Sequence, residues 1–556
     1  MERIWLDSYP PGVPAEIDTS PYDSLLTVLD DSCRRFANLP AYISMGATLS
    51  YAQLDRLSRD FAAWLQARGV RRGDRVALML PNLLQYPVCL FGALRAGCAV
   101  VNCNPLYTAH ELAHQLADAG AETIVIAENF AHTLQRALPQ TPLRHIVTTS
   151  VGELLGPLKG RAVDFAVRHI KRKVPAWSLP GAVPLGRALA AGHRLPWQAP
   201  ALTRADPAFL QYTGGTTGVA KAAVLSHGNM LANLCQAHAW VRDLVREGEE
   251  CVVTALPLYH VFALTANCLV FLKLGARNLL IADPRDLPAF IKALRKTPFS
   301  AITGVNTLFC ALLNQPGFAR LDFSRLRLTM GGGMAVQRAV AQRWRETTGV
   351  TLAQAYGLTE TAPAVTINPL DAPEFTGSIG LPVPSTELSV RDDDGRELPV
   401  GETGELCVRG PQVMTGYWNR PDETALAFYP DGFLRTGDMG YVDERGYVFL
   451  VDRKKDLILV SGFNVYPNEV EDVAALHPGV REVAAVGVPD ARSGEAVKLF
   501  VIRRDPALDA QALIAHCRAH LTGYKVPRHV EFRDELPRSP VGKILRRELK
   551  AAPAGD

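Results

Sequence analysis

The stretch YTGGTTGVAK, from Tyr212 to Lys221, is the most informative part of this sequence. Its glycines permit backbone conformations that turn amide N–H groups toward an anion; they are Gly214, Gly215 and Gly218. Hydroxyl donors and a mobile positive charge come from Thr213, Thr216, Thr217 and Lys221. The segment AFLQYT before the loop predicts a buried strand, and LSHGNMLANLCQAHAWV after it predicts a helix. A strand, a glycine-rich loop and a helix together predict an anion-binding site.

The spacing within this loop excludes one well-known nucleotide-binding motif. A Walker P-loop needs Gly-Lys-Ser/Thr in succession, whereas Val219 and Ala220 separate Gly218 from Lys221. Clusters of Gly and Thr also occur in surface turns that bind nothing. By itself the loop therefore leaves two readings open, a different nucleotide-binding loop or an ordinary turn.

The order of apolar segments predicts the fold class. Alternation of short strands with amphipathic helices begins near residue 74, in DRVALML, NLLQYPVCLFGALR, CAVVN, HELAHQLADAG and TIVIA, and recurs from Phe209 to Ala355. That alternation predicts parallel sheets covered by helices. After Gly357, short strands such as TELSVRD and GELCVRG, separated by turn residues, predict a β-rich unit.

A chain of 556 residues is too long for one hydrophobic core. The charged segment VDRKKD, Val451 to Asp456, interrupts the pattern and precedes a new α/β run of about 100 residues, the size of a small domain. We expect an α/β fold with a large N-terminal domain, residues 1–451, made of two parallel-sheet α/β subdomains and a β-rich subdomain. We also expect a hinge at 452–456 and a small mobile α+β domain at 457–556.

The composition restricts which kinds of partner and which cellular compartment we expect for this protein. The net charge of +3, from 59 basic and 56 acidic residues, gives no reason to expect nucleic-acid binding. The first residues lack the apolar core of a signal peptide, and the ten cysteines lack paired CxxC spacing. We therefore expect a cytoplasmic protein with reduced thiols. The uncharged segment Cys251 to Leu272 contains Pro257 and His260, which favours a buried strand and helix over a membrane span.

Four further motifs follow a fixed order. They are LPLYHVFAL from Leu256, YGLTE from Tyr356, DGFLRTGDMGYVDERGYVFLVDRKKD from Asp431, and LPRSPVGKILRREL from Leu536. Together with the loop they resemble the AMP-forming, adenylate-forming enzymes, a superfamily of acyl-CoA synthetases, luciferases and peptide-synthetase adenylation domains. GGTTGVAK, the region around TGD and LVSGFNVYPNEVEDV are most similar to bacterial long-chain fatty acid–CoA ligases.

This resemblance implies ATP-dependent activation of a long-chain fatty acid, with an acyl-adenylate intermediate and coenzyme A as the acceptor. It implies that residues 213 to 218 and Lys221 hold the β- and γ-phosphates. Thr359 is then expected at the α-phosphate, and Glu360 is expected to bind Mg²⁺, a hard cation that prefers carboxylate and phosphate oxygens.

The same resemblance assigns the rest of the nucleotide site and the catalytic groups. Tyr356, with Gly331, Gly332 and Gly333, is expected to face adenine; Asp438 is expected to bind the ribose hydroxyls, and Arg453 the same region. His260 is expected beside the substrate carboxylate. Lys543 is the expected catalytic lysine, reaching the carboxylate and the α-phosphate from the small domain. Rotation about 452–456, with Lys455 near the pivot, would then bring Ser461 and Gly462 to the thioester site.

Two residues depart from the family pattern, and one motif is misleading. Ala222 stands where the family usually has Gly, and Phe433 stands where it usually has Trp, which leaves loop closure and chain-length preference open. HELAH, His110 to His114, matches the HExxH zinc motif, but no third ligand is indicated by spacing. We therefore expect no catalytic zinc.

The segment 158–177, LKGRAVDFAVRHIKRKVPAW, combines many basic side chains with an apolar stripe at helical spacing. The stripe contains Val163, Ala166 or Val167, Ile170, Val174 and Trp177. This pattern predicts either an interfacial helix or a helix packed on the large domain with a solvated basic face. In the first case it would bring the protein transiently to the anionic inner face of the cytoplasmic membrane.

Several functions remain compatible with the sequence. The leading hypothesis is a Mg²⁺-dependent long-chain fatty acid–CoA ligase, with ATP, coenzyme A and the fatty acid as its partners and with a homodimer as one possible assembly. The alternatives are a CoA ligase for a medium-chain or aromatic acid, and a regulator that binds nucleotide or fatty acid without turnover. A peptide-synthetase module fits less well, because the chain ends soon after Lys543.

Overall fold

The computed structural model describes residues 2–213, 220–453, 456–461, 463–490, 492–539 and 542–551. The apolar segments predicted after residue 74 form the centre of a first sheet, in which most strand residues are buried, as in a sheet covered on both faces. In spatial order its strands are Gly416–Tyr417, Lys221–Ser226, Pro207–Thr213, Ala99–Asn102, Arg75–Met79, Thr123–Ala127, His145–Thr149 and Val183–Pro184. The strands from Pro207–Thr213 to Val183–Pro184 are parallel.

A second sheet repeats this architecture with later parts of the chain. In spatial order its strands are Leu381–Pro382, Ala364–Ile367, Ala353–Gly357, Leu328–Gly331, Ala301–Gly304, Cys251–Thr254, Arg277–Leu280, Pro40–Ser44 and Ala47–Ser50. The N-terminal hairpin thus completes the second sheet, since Pro40–Ser44 pairs in parallel with Arg277–Leu280. The strand beginning near Phe209 belongs to the first sheet, so the two α/β runs of the sequence do not divide cleanly between the sheets.

Helices cover both sheets. On and around the first sheet they are Leu25–Arg35, Tyr51–Ala67, Gln85–Arg95, Ala109–Ala119, Ala131–Ala137, Pro157–Phe165 and Leu185–Gly192, with 3₁₀ turns at Glu128–Phe130 and Leu138–Gln140 and a π-helix at Ala166–Ile170. The N-terminal 3₁₀ turn Ile4–Ser8 lies against the strand Leu381–Pro382 of the second sheet. The later helices are His227–Val241, Val261–Ala263, Phe271–Lys273, Leu287–Lys296, Asn306–Leu313 and Arg338–Thr348, with a π-helix at Leu264–Val270 and a 3₁₀ turn at Thr359–Thr361.

The β-rich unit and the C-terminal α+β unit follow, as the sequence predicts. The third sheet is antiparallel and contains Glu387–Arg391, Gly404–Arg409, Leu434–Val442 and Val448–Arg453, with the helix Pro421–Ala427 nearby. The C-terminal sheet contains Phe463–Val465, Ile458–Val460, Gly494–Arg503, Val480–Asp490 and His529–Phe532. Its helices are Pro467–Ala475, Ala510–His520 and Arg546–Ala551, with a 3₁₀ turn at Gly523–Lys525.

One local prediction was wrong. The residues after the glycine-rich loop form a strand, Lys221–Ser226, which pairs antiparallel with Pro207–Thr213, and the predicted helix begins only at His227. The apolar run AAVL supplies the cross-strand pairs, and the Ser226 hydroxyl accepts the Asn229 N–H to cap the helix. The loop therefore joins two strands of a hairpin and does not precede a helix N-terminus.

The buried segments agree with the sequence analysis. The ten cysteines, all of which lie in the described part of the chain, are free and buried. Cys251–Thr254 is a buried strand, and buried helical turns follow Pro257. Among the described residues, no helix is both long and apolar enough to cross a membrane.

Candidate active site

A cavity of about 1590 Å³ gathers residues from both large sheets, the β-rich unit and the C-terminal loop. Several lining residues lie at or just after the carboxyl ends of parallel strands; they include Asn102, Thr213, Thr303, Gly332 and Gly357. Open α/β sheets bind ligands at this edge. The motifs singled out in the sequence therefore meet in one place.

Tyr356, Asp438 and Arg453 form a hydrogen-bonded group in this cavity. The Tyr356 hydroxyl donates to Asp438 Oδ2 at 2.6 Å, and Arg453 Nε lies 3.3 Å from Asp438 Oδ1. Asp438 and Arg453 meet because they are cross-strand partners in the antiparallel sheet. Burial and the Asp438 carboxylate raise the pKa of Tyr356, so its phenol stays protonated and donates the hydrogen bond.

Gly332 and Gly333 leave the backbone of the cavity wall open to close approach by a ligand, because they have no side chains. A side chain on Gly332 would begin 3.1 Å from the Ala355 carbonyl oxygen and 3.1 Å from the Phe262 ring. Gly333 has φ +75°, in the left-handed region that favours glycine. Gly332 and Gly333 line the cavity, whereas a side chain on Gly331 would point at Val336.

Glu360 is held at the cavity wall by a residue that the sequence did not single out. Thr359 and Glu360 occupy the 3₁₀ turn Thr359–Thr361, and both line the cavity. Tyr417 donates its hydroxyl to Glu360 Oε1 at 2.9 Å, and burial raises the pKa of Tyr417. The carboxylate therefore has a fixed orientation.

Lys221 and Thr213 bracket the glycine-rich loop as cross-strand partners. The predicted phosphate-binding residues between them, Gly214, Gly215, Thr216, Thr217 and Gly218, lie outside the described residues. Lys221 Nζ forms a salt bridge with Glu423 and lies 5.3 Å from the centroid of the Tyr417 ring. Tyr417 and Glu423 are about 200 residues away in sequence from Lys221, and no motif in the chain indicated either one.

His260 and Lys543 come from different ends of the chain and meet in the cavity. His260 Nδ1 accepts the Phe262 N–H at 3.3 Å and so caps the short helix Val261–Ala263. Burial, and secondarily the charge of Lys543, lower the pKa of His260 to about 3. The Cε of Lys543 lies 3.6 Å from the point where a side chain on Gly333 would begin. The imidazole is therefore neutral beside the lysine.

The loop that carries Lys543 is hydrogen-bonded to an earlier part of the chain. The Thr307 hydroxyl donates to the Gly542 carbonyl at 3.2 Å, and the Ser539 hydroxyl accepts the Lys543 N–H at 3.1 Å. The first contact joins this loop to the helix Asn306–Leu313 of the N-terminal part of the chain, and the second lies within the loop itself.

Residues 29–418 match the AMP-binding enzyme family, and residues 469–543 match the AMP-binding enzyme C-terminal domain. The chain belongs to the AMP-binding enzyme family. A long-chain-fatty-acid–CoA ligase of Escherichia coli O6:H1 is 58% identical over 551 residues, 99% of this chain and 98% of the relative. Among solved structures, anthranilate CoA ligase AuaEII in complex with anthranoyl-AMP has a TM-score of 0.84 at 25% identity, covering 96% of this chain and 98% of that one. ATP-bound MatB from Rhodopseudomonas palustris has a TM-score of 0.79 at 29% identity, covering 94% and 98%.

Other predicted positions of this AMP-binding enzyme lie away from the cavity. Ser461 is exposed, has φ +53° and does not line the cavity, while Gly462 and Lys455 lie outside the described residues. The Ser461 N–H donates to the Ser493 carbonyl at 2.7 Å. In this arrangement of the C-terminal unit, the predicted thioester residue Ser461 and the predicted adenylation residue Lys543 are therefore not side by side.

The two departures from the family pattern also lie outside the cavity lining. The Ala222 side chain is buried in an apolar cluster of the first sheet, opposite Tyr212 on the neighbouring strand. Phe433 is buried between two guanidinium groups, each 4.6 Å from its ring centroid, those of Arg391 and Arg409. Neither side chain is in a position to contact a bound acyl chain directly.

The HELAH segment has a structural role in this AMP-binding enzyme. Glu111 accepts the Thr108 N–H at 2.8 Å and completes a capping box at the start of the helix Ala109–Ala119. No group of three or more His, Cys, Asp or Glu side chains in the described ranges could hold a metal ion. The expectation of no catalytic zinc remains a prediction for the chain as a whole.

The segment 158–177 differs from the single amphipathic helix considered in the sequence analysis. It forms the α-helix Pro157–Phe165, the π-helix Ala166–Ile170 and an extended tail. Most of the predicted stripe is half-buried, since Val163 and Trp177 pack against the core. The outward apolar side chains are Leu158, Phe165 and Ile170, which are 84%, 60% and 71% exposed.

Proposed function

We infer that this protein activates long-chain fatty acids to acyl-CoA through an acyl-adenylate. ATP and the fatty acid first form acyl-AMP and release pyrophosphate, and the thiol of coenzyme A then displaces AMP. The cavity carries this inference, because it joins the polar group around Tyr356, Glu360 and Lys543 to an apolar arm. The similarity to the Escherichia coli ligase over nearly the whole chain supports the same reaction.

The apolar arm is suited to a hydrocarbon chain. Its walls come from the helix His227–Val241, the π-helix Leu264–Val270 and the strand Ala364–Ile367, and they include Ala237, Val241, Val270, Phe271, Ile367 and Ile379. Asn233 fixes the helix to the strand by donating to the Ala364 carbonyl at 2.9 Å. Each methylene group buried in such an arm contributes about 0.8 kcal/mol, so long chains gain more than short ones.

The polar end of the cavity meets the needs of adenylation. Negative charge collects on the carboxylate and the α-phosphate, so cations and donors must be fixed there in advance. In this proposal Lys543 supplies the cation, while Thr359 and neutral His260 supply polar contacts without adding charge. Lys221 and the glycine-rich loop, residues 213 to 218, hold the phosphates of the leaving pyrophosphate.

The nucleoside is assigned to the group on the β-rich side. Asp438 accepts hydrogen bonds from the ribose hydroxyls, and Arg453 holds that carboxylate in place. Tyr356 and the bare backbone at Gly332 and Gly333 face the adenine ring. Gly331 is the last residue of the strand that leads to these two glycines.

The residues present fit a magnesium ion bound together with ATP. Glu360 offers one carboxylate at the cavity wall, oriented by Tyr417. Mg²⁺ in nucleotide sites is commonly held by one or two carboxylates and by phosphate oxygens, and it neutralises polyphosphate charge when bound.

We propose a large domain at residues 1–451, a hinge at 452–456 and a mobile small domain at 457–556. Rotation about the hinge would withdraw Lys543 and bring Ser461 and Gly462 to the site where coenzyme A reacts. Leu459 and Phe463, beside Ser461, are 50% and 57% exposed here. Exposed apolar side chains that lie together often mark a contact surface, which supports a second arrangement of this unit.

We propose further that the protein is cytoplasmic and that residues 158–177 contact the inner face of the membrane. The three outward apolar side chains Leu158, Phe165 and Ile170 are accompanied by exposed basic residues, as in interfacial segments. A homodimer stays a prediction that sedimentation of the purified protein would test.

Liposome sedimentation tests the membrane proposal. Phe165→Ser with Ile170→Ser is expected to weaken binding to anionic vesicles, because exposed apolar groups are lost from the interface. Leu426→Ser is the matched control, since Leu426 is 76% exposed on another helix. Equal binding by the double variant and by the wild type would contradict the proposal.

Pyrophosphate release measured across acids of different length, with coenzyme A present, tests the function. Turnover should rise with chain length as the apolar arm fills. A preference for an aromatic or a medium-chain acid would favour the alternative ligase, and failure to turn over any acid would favour a binding protein.

A further inference from the structure

We propose that Glu423 is a positioning residue that receives the Lys221 ammonium as pyrophosphate leaves and thereby weakens the hold of the site on pyrophosphate. The proposal rests on the proposed function, in which Lys221 holds the leaving group. Glu423 does not line the cavity, whereas Lys221 does.

The ion pair between these residues lies at the edge of the cavity. Glu423 belongs to the first turn of the helix Pro421–Ala427, and its Oε2 is paired with Lys221 Nζ. Their side chains are 33% and 31% exposed. The Lys221 ammonium also lies 5.3 Å from the Tyr417 ring centroid. A phosphate entering from the cavity can therefore reach an ammonium that already has a carboxylate partner.

Glu423 is anchored on its far side. Arg420 Nε lies 3.7 Å from Glu423 Oε1, and Arg420 Nη2 lies 2.6 Å from Asp118 Oδ1. Asp118 Oδ2 accepts the Tyr212 hydroxyl at 2.6 Å. The chain of contacts thus links Tyr212, before the glycine-rich loop, to Lys221, after it. Glu423 therefore has a second cation nearby, and the longer lysine side chain is the partner that moves in this proposal.

Backbone hydrogen bonds keep the segment that carries Glu423 next to Lys221. The strand Gly416–Tyr417 pairs antiparallel with Lys221–Ser226, and the Trp418 N–H donates to the Ala222 carbonyl at 2.9 Å. The Tyr417 N–H donates to the Thr424 hydroxyl at 2.9 Å, which ties the helix to this strand. These contacts keep the helix that carries Glu423 next to the strand that begins at Lys221.

In this proposal two anions, the Glu423 carboxylate and pyrophosphate, compete for the Lys221 ammonium. When pyrophosphate is bound, Lys221 turns toward the phosphates. The Glu423 carboxylate is then left close to the negative charge of the phosphates. When pyrophosphate leaves, the ion pair forms again. Removing the charge of Glu423 should therefore strengthen binding of pyrophosphate and of ATP, since both repulsion and competition are lost.

The test compares Glu423→Gln with Asp422→Asn, which removes the same charge one residue earlier on the same helix. Glu423→Gln is expected to lower the inhibition constant for pyrophosphate and the KM for ATP by about two- to fivefold, the range for a half-exposed ion pair. The KM for the fatty acid should not change, whereas a merely structural effect would move all three. Asp422→Asn should leave all three values close to the wild type.

Calorimetric titration of pyrophosphate into the same proteins measures binding without turnover, and thermal unfolding verifies that each variant is folded. Unchanged pyrophosphate affinity in Glu423→Gln, or an equal gain in Asp422→Asn, would overturn the proposal. If Glu423→Gln does not fold, Arg420→Gln, which releases the far side of Glu423, must alter pyrophosphate affinity for the proposal to stand. Wild-type protein that turns over no fatty acid would count against the proposed function, whereas active wild type with unchanged variants counts against the role of Glu423 alone.

Discussion

At the scale of single residues, His260 shows how burial, with a smaller contribution from the charge of Lys543, sets the protonation state of an imidazole. Burial and the Lys543 ammonium lower the pKa of His260 to about 3. The unfolded value is about 6.5, so at intermediate pH the unfolded chain binds the extra proton. The stability that neutral His260 contributes is complete above about pH 6.5 and is lost as the pH falls toward the folded value.

This protonation state predicts the pH dependence of adenylation. Because folded His260 stays neutral throughout the neutral range, His260→Gln should lower the rate without changing the shape of the pH profile between about pH 5 and 8. The measurement is the rate of acyl-AMP formation across that range for both proteins. An acid limb near about pH 6.5 in the wild type that disappears in the variant would contradict the assignment.

Phe433 gives a second prediction at this scale. Its ring is buried between Arg391 and Arg409 and does not line the cavity. Phe433→Trp should cost about 1–3 kcal/mol of stability through overpacking. The ratio of kcat/KM for long-chain over medium-chain acids should not change. A shift in chain-length preference at wild-type stability would show that position 433 acts on the acyl arm after all.

At the scale of elements, the loop and its neighbours show what local sequence determines. The strand Pro207–Thr213 and the helix His227–Val241 follow from apolar runs and from the Ser226 cap. The strand Lys221–Ser226 was missed, because its pairing with Pro207–Thr213 is decided by tertiary contacts as much as by its short apolar run. In the segment 158–177, the predicted stripe is mostly half-buried, but its member Ile170 points outward, since a π-helix changes the direction of later side chains.

The helix His227–Val241 also carries a prediction. Asn233, Ala237 and Val241 recur every four residues and line one wall of the cavity. Ala237→Phe should narrow the apolar arm and lower kcat/KM for long-chain acids at least about tenfold, with a smaller effect on short acids, because a few lost contacts amount to about 1–3 kcal/mol. Kinetics with both acids on the same preparation provide the internal control. Equal losses for both acids would place the arm elsewhere.

At the scale of the whole molecule, the α/β class, the β-rich unit and the C-terminal α+β unit were predictable from the rhythm of apolar segments. The completion of the second sheet by Pro40–Ser50 was not, because a hairpin gives no sign of which distant strand it will join. The same holds for the site. Motifs pointed to Tyr356, Glu360, Asp438 and Lys543, which all line the cavity, although their roles stay predictions. Tyr417 and Glu423 are recognisable only once the strand Gly416–Tyr417 pairs with Lys221–Ser226.

The proposed two-domain arrangement makes Lys543 the residue on which the whole proposal depends. It reaches the cavity from the C-terminal unit, while Ser461 of the same unit faces solvent. A lysine used only for adenylation should matter for one half-reaction and be dispensable for the other, because the small domain would turn it away before thioester formation.

The most direct measurement follows both half-reactions in Lys543→Ala, with Lys550→Ala as the control on the helix that follows. Formation of acyl-AMP from ATP and a long-chain fatty acid should fall by about a hundred- to a thousandfold, as for loss of one group that stabilises charge in the transition state. Formation of acyl-CoA from supplied acyl-AMP and coenzyme A should stay close to the wild-type rate. An equal loss of both half-reactions, or normal acyl-AMP formation, would contradict the account.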